Sequence, residues 1–480
     1  MKSRNVPLIV WNSSPKNIKG DSTLASLPAN IDPHEIEKTL NKMFSSEWLR
    51  DTAVKVGYVQ RSRKIDPAVL FWILVLGFGV GVQRTLASLR RAYETAAAET
   101  LVPSAFYYRF NKGLIDFLKE CLAHGIADLA CHTSLTLSDK LQGFKDIIVA
   151  DGTVIKLHDK LAKQFPGARH KAELKIHTAI GLTGNTKSTA LFSGNTAEIK
   201  TIRIGPWIKD HILLFDLGYF KYELFSRIRK NGGYFVSRLK TTANPTIVSV
   251  LRTYRGNAVD LTGKKLQDVL PLLKREVIDV LVEVSFKGSA SRHKKTEGDT
   301  FEVYRPKNGT SKTKETFRLV GIFNMESNAY HLYLTSLSPE QLPAEDVALL
   351  YRARWCIGLV FKELKRLYKL DVISSGASDI VESLVLVAML TLVVSHRVLN
   401  QIRLLAPEKS QRFTPLRWGE SFYSAAPFVM TRTLKYAGID ENPVMLLLYF
   451  MGESVDPNVN RKRLLSPWVQ TNSQGLNTNK

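Results

Sequence analysis

Two aspartates stand where a carboxylate is costly to bury. Asp151 follows the apolar run Ile147-Ile148-Val149-Ala150 and precedes Gly152, and Asp216 closes the run Ile212-Leu213-Leu214-Phe215. A bare charge in such surroundings must be paired, hydrogen-bonded or bound to a cation. If the two meet, a pair of hard oxygen donors suits Mg²⁺ or Mn²⁺, ions that activate water and stabilise the leaving oxygen in phosphodiester hydrolysis. Taken singly, each Asp also reads as a strand end or turn cap. Downstream, Tyr351, Arg354, Gly358 and Lys365 follow steps of three, four and seven residues, so on a helix they share one face. Arg354 offers a planar fork for a phosphate and Lys365 a point charge; a solvated basic face is the plainer alternative. Cys121, His124, Cys131 and His132 are spaced C-x2-H-x6-C-H, but in helical, apolar sequence with the second pair adjacent, which reads as buried thiols and a surface His rather than zinc.

The elements that must position these residues change character along the chain. Residues 1–33 are turn-rich and read as a flexible leader, and residues 34–142 as an all-helical domain with basic connections at Arg61, Arg63, Lys64, Arg84, Arg90 and Arg91, suited to reading DNA ends. After Gly143 the pattern predicts strands over Asp146 to Leu157, Leu174 to Leu182 and Lys187 to Phe192. A weak helix, Ile199 to Asp210, is interrupted by Gly205 and Pro206; then come a strand at Ile212 to Asp216, a helix at Tyr222 to Lys230 and a strand at Tyr234 to Leu239. This is the element order of a ribonuclease H-like core, residues 143–240, in which the first and fourth strands lie side by side and would bring Asp151 and Asp216 to one end of the sheet. Residues 241–336 read as an inserted β subdomain with basic loops, residues 337–400 as a long helix from Ala344 to Leu370 plus an apolar helix, and residues 401–480 as a C-terminal helical region whose tail, after Ser466, has a disordered composition. The expected class is α+β (mixed).

Charge bears on the partner. Lys and Arg number 67 against 44 Asp and Glu, a net +23 spread along the chain, which points to a polyanion and foremost to nucleic acid. Three cysteines cannot make a disulfide framework, and the N-terminus lacks the layout of a signal peptide, so a cytoplasmic setting is expected. The apolar runs Pro67 to Val82, Leu384 to Val394 and Pro443 to Met451 fall short of the roughly 18 residues that span a bilayer and read as buried helices, with no membrane partner.

The motifs resemble those of the DDE insertion-sequence transposases, in the branch called insertion sequence four: a first Asp in a D-G-T strand, a second in D-x-G-Y/F, and a helix bearing Y-x2-R-x3-E-x6-K. Here these are Asp151-Gly152-Thr153, Asp216-Leu217-Gly218-Tyr219, and Tyr351, Arg354, position 358 and Lys365, within a resemblance over roughly residues 40–400. It implies double-stranded DNA, both element ends and target, as partner, a homodimer when DNA-bound, and Asp151 and Asp216 as metal ligands. Tyr351, Arg354 and Lys365 would hold the DNA backbone. Position 358 departs from the pattern: Gly358 replaces the third acid. Gly costs about 1 kcal/mol in a helix interior, so it is not there as a helix former. Glu363 lies five residues on, about 140° around the helix, and is a weak substitute whose ordinary role is an ion pair. Two functional alternatives accompany the active transposase: a catalytically dead, transposase-derived DNA-binding protein, and a general ribonuclease H-like nuclease. Trp355 reads as a core residue or a base-stacking one, and Lys175 and His177 resemble a K-x-H pairing in the family with no role assigned.

Overall fold

The computed structural model describes residues 32–60, 65–80, 85–131, 139–182, 187–252, 260–273, 275–287, 291–296, 299–304, 312–368, 370–371, 373, 375–406 and 413–439. Most of the leader, the tail, the run Pro443 to Met451, His132 and the basic positions Arg61, Arg63, Lys64, Arg84, Arg305 and Lys307 lie outside these. The front of the chain is helical: α1 (Glu35–Met43), α2 (Ser46–Lys55), α3 (Pro67–Ile73), α4 (Leu86–Ala97), α5 (Pro103–Tyr107) and α6 (Lys112–Cys131). Side-chain caps start three of them: Ser45 accepts from the Trp48 amide, Asp66 from that of Ala68, and Thr85 and Ser88 cap each other reciprocally.

The sheet begins with β1 (Asp146–Lys156), β2 (Glu173–Gly181), β3 (Lys187–Ser193) and β4 (His211–Phe215), followed by α7 (Tyr222–Lys230) and β5 (Tyr234–Arg238). Strand β1 pairs antiparallel with β2 and parallel with β4, which pairs parallel with β5. The stretch expected as a weak helix after Ile199 holds two short 3-10 turns, Glu198–Lys200 and Pro206–Ile208, with Gly205 extended between them. Proline lacks the amide that a longer helix would need there.

The strands expected as an inserted β subdomain lie in the same sheet as the core strands. After β6 (Thr246–Val250), α8 (Leu266–Val269), β7 (Val277–Lys287), β8 (Ser291–Thr296) and β9 (Asp299–Tyr304) come β10 (Lys312–Asn324) and β11 (Ala329–Thr335). The order is β3-β2-β1-β4-β5-β11-β10-β7-β6, nine strands joined where β11 meets β5, with Tyr333 opposite Arg238 and Thr335 opposite Val236. The open edge of β5 supplies unpaired backbone groups that β11 satisfies. Among the described residues only the β8–β9 hairpin stands apart.

The chain closes with α9 (Ala344–Arg352), α10 (Trp355–Arg366), α11 (Ser378–Leu405) and α12 (Pro415–Tyr436). Alternate residues of the central strands feed two cores. Ile147, Val149, Ile176, Ile212 and Leu214 pack towards the helices, and Ile148, Ala150, Leu213, Phe215 and Phe235 towards α7. Helix α11 runs 28 residues, longer than the apolar run expected for it. By length and composition it could cross a membrane, but its apolar side chains from Val381 to Leu399 are largely buried inside the protein against α6 and the front helices. Thr391 of α11 donates to the Val75 carbonyl at 2.8 Å, where α3 passes into a wide π turn, Leu74–Phe78. A Cβ at Gly79 would fall 1.7 Å from the Thr391 hydroxyl, so only glycine permits this approach.

A buried ion pair ties the added strands to α9. Arg318, 3 % exposed, bonds both Asp279 oxygens at 2.8 and 2.7 Å and the carbonyls of Leu337 and Leu342, just before α9. Arg318→Ala would strand the Asp279 charge, and a loss of about 3–5 kcal/mol is expected in denaturant unfolding. Arg318→Met with Asp279→Leu should recover most of it.

Candidate active site

The two aspartates are brought to one level by strand register. The parallel pairing of β1 with β4 sets Ala150 opposite Phe215, so the next residues are Asp151 and Asp216, on strands about 4.8 Å apart. Alternation turns both towards the helical side, since Val149 and Leu214 two residues earlier face that core. Strand β4 stops at Phe215 while β1 runs on, paired with β2, to Lys156, so Asp216 stands at the end of its strand and Asp151 midway along β1, not at the sheet end expected for it. Each is half-buried.

Helices α9 and α10 close over this end. The single helix expected from Ala344 to Leu370 is two, because Ala353 and Arg354 bond back three residues, to Leu350 and Tyr351, instead of four. In such a tight turn residues three apart nearly eclipse, which stacks Arg354 over Tyr351 with its guanidinium 5.7 Å from the ring centre. Arg354 Nη1 lies 3.5 Å from Asp151 Oδ2, and its Nε is buried without a partner. The buried Tyr351 hydroxyl donates to the Phe215 carbonyl at 3.0 Å, so it is engaged in holding α9 on β4. Lys365 Nζ donates to the Val154 carbonyl at 3.1 Å. Thus Tyr351, Arg354 and Lys365 all reach β1 or β4. Gly358 lies between them on α10, half-buried, and brings no carboxylate.

Glu363 is directed elsewhere. Fully buried, it takes a hydrogen bond from the Tyr368 hydroxyl at 3.2 Å and meets His396 Nε2 of α11 at 3.0 Å. It joins α10 to α11 and does not substitute for the missing acid at 358; the partner is a His rather than a neighbouring Lys or Arg. His124, in the C-x2-H spacing, bonds the Met43 carbonyl, and Cys121 is a buried free thiol. The side chain of Trp355 lies outside the described residues.

Glu198 is a further candidate that its own stretch of sequence does not single out. It sits in the 3-10 turn between β3 and β4, on the α7 side of the sheet, against the glycines that follow the two aspartates. A Cβ on Gly152 would lie 3.2 Å from Glu198 Oε2, and one on Gly218 3.1 Å from its Cγ. Lys175, 5 % exposed, donates to Glu198 Oε1 at 2.7 Å and also to the Thr196 carbonyl. His177, opposite Gly152 in β2, faces the same space. Burial and the nearby Lys175 charge depress the imidazole to about 4, so it is neutral at physiological pH. The signal for Glu198 was indirect: a glycine closely following each acid leaves room for a third side chain.

Burial pushes the Asp151 carboxyl above the ordinary carboxylate range. The Gly152 amide, 2.7 Å from Oδ1, and Arg354 oppose this, while Asp216 and Glu198 add to it. A divalent cation would reverse that balance, and the oxygen donors suit Mg²⁺ or Mn²⁺. Among the described residues no three acidic, Cys or His side chains already stand at ligand distance from one point. Beside Asp216 a cavity of about 510 Å³ is lined by Arg238, His331, Tyr333, Arg352 and Arg354, a basic wall suited to a phosphate backbone.

Residues 142–393 match the transposase DDE domain. The chain belongs to that family. By family this transposase is therefore an enzyme. It is 23 % identical over 356 residues to the transposase of insertion sequence element IS1151 from Clostridium perfringens, covering 70 % of this chain and 74 % of that one. It is also 22 % identical over 409 residues to the transposase of IS231B from Bacillus thuringiensis subsp. berliner, covering 78 % and 81 %. A cryo-EM structure of the piggyBac transposase synaptic complex with hairpin DNA is similar over 92 % of this chain and 91 % of that one, at 9 % identity and a TM-score of 0.39.

Since its carboxyl is raised in the fold, Asp151 costs stability that is absent below the ordinary carboxylate range, grows as pH rises from there to its folded value, and is constant above that. Asp151→Asn is expected to raise the thermal midpoint at pH 7 in EDTA by roughly 1 °C for each kcal/mol released; saturating Mn²⁺ should cancel the advantage.

Proposed function

We propose that this transposase belongs to the insertion sequence four branch, binds the terminal inverted repeats of its element and moves it by metal-dependent, cut-and-paste DNA transposition. The observation that carries the reading is the register that sets Asp151 and Asp216 side by side, with Arg354 on the first. The sheet order β3-β2-β1-β4-β5 and the parallel β1–β4–β5 pairing support a ribonuclease H-like core.

Asp151 and Asp216 would hold Mg²⁺ or Mn²⁺, which supplies an activated water and charge stabilisation at the scissile phosphate. The half-buried pair is kept close by β1 and β4, at the cost of mutual repulsion that a cation removes. Arg354 lies where one guanidinium can touch both Asp151 and a phosphate oxygen. The guanidinium also lines the cavity beside Asp216, where a phosphate could meet it. Lys365 adds a second cation along β1. The Tyr351 hydroxyl keeps α9 seated, leaving its ring to line the cavity beside Asp216. The helical front would read the element ends, and two copies would bring two ends together.

Gly358 favours a second reading, a catalytically silent relative that still binds element ends, because loss of one carboxylate weakens metal binding and misplaces the water. The two readings part in one assay with end-containing duplex and Mn²⁺. The unsubstituted protein is expected to nick it, and Asp151→Asn to lower nicking at least about 1000-fold, a barrier change of about 4 kcal/mol, with salt-sensitive binding kept. Nicking by Gly358→Glu alone would establish the silent reading. Absence of salt-sensitive binding to its own ends by every form would refute both.

A further inference from the structure

Building on the metal-site reading above, we infer that Glu198 supplies the third carboxylate, engaging the cation bound by Asp151 and Asp216 through one of that cation's waters, in place of the acid missing at Gly358.

Glu198 is wedged between the two acid-bearing turns. Its Oε2 is 3.2 Å from where a Gly152 side chain would begin, and its Cγ 3.1 Å from the same point at Gly218. Both glycines closely follow a metal-site aspartate, and any larger residue at either place would press on it. Because β4 stops at Phe215, the flank of β1 beyond Ala150 carries no strand on that side.

The pair with Lys175 accounts for only one Glu198 oxygen. Oε2 is buried with no partner, as is His177 Nε2, on a side chain 3 % exposed. The Tyr219 hydroxyl lies 3.8 Å from the same point above Gly152. Two orphaned polar groups facing one space call for an occupant, since buried polar atoms are almost always satisfied. A counter-ion role for Glu198 leaves both unexplained. The hydration shell of a divalent cation explains them, because Mg²⁺ keeps several of its waters and each can donate to a carboxylate or a neutral imidazole. Three carboxylates against Lys175 and Arg354 also leave the site short of positive charge.

The assignment is tested by Mn²⁺ binding, followed by electron paramagnetic resonance on the full chain without DNA, for the unsubstituted protein, Glu198→Gln and Asp151→Asn. Glu198→Gln keeps the shape and an oxygen for Lys175. Its metal-free thermal midpoint is expected to stay within a few degrees, while its Mn²⁺ affinity falls about tenfold or more, as outer-sphere changes do. Unchanged affinity in Glu198→Gln with a loss in Asp151→Asn overturns the role of Glu198 and keeps the metal pair. No Mn²⁺ binding by the unsubstituted chain, or equal binding by all three, overturns the metal reading itself and the inference with it. If Glu198→Gln fails to fold, Glu198→Asp decides: the retracted carboxylate should weaken Mn²⁺ binding, and unaltered affinity would count against the assignment.

Discussion

Everything in the site depends on the parallel pairing of β1 with β4. Their register carries two apolar strands forward in step and delivers Asp151 and Asp216 at one level, just where β4 ends. A shift of one residue would turn one carboxylate to the opposite face. The register is held by burial on both sides, through Ile147, Val149, Ile212 and Leu214 towards the helices and Ile148, Ala150, Leu213 and Phe215 towards α7. Like charges so placed repel, so the cores must hold together what electrostatics opposes. The raised Asp151 carboxyl is the mark of that opposition.

Around that pair the chain builds in both directions. Tyr351 anchors α9 to the last carbonyl of β4, and the tight turn at Ala353 and Arg354 brings the guanidinium to Asp151. Arg318 and Asp279 brace the segment leading into α9 from within the added strands. Helix α11 fastens the helical front to α10, partly through His396 and Glu363. The strongest ion pairs therefore sit behind the site as struts, and the surface ones, such as Lys112 with Asp116, contribute little.

Much of the frame was legible in the sequence because it is local. The strands around Asp151 and Asp216 announce themselves as short apolar runs with turn residues at their ends, and α7 has the same bounds as expected, Tyr222–Lys230. What was hidden is what tertiary contacts decide. Nothing near Tyr333 signals that it will sit opposite Arg238, so β11 joining the core sheet was invisible. Ala353 and Arg354 are good helix formers, and the tight turn there has no local signal. Glu198 escaped because it precedes a stretch that reads as a poor helix, and because its meaning comes from two glycines distant from it in the chain.

On the proposed function Asp151 and Asp216 together form one divalent-cation site. Crystals of the full chain soaked in Mn²⁺, with anomalous scattering measured at the manganese edge, test it most directly. A peak is expected about 2.0–2.6 Å from one carboxylate oxygen of each aspartate. Saturating Mn²⁺ with no peak between them, or with the ion held by other residues, would contradict it.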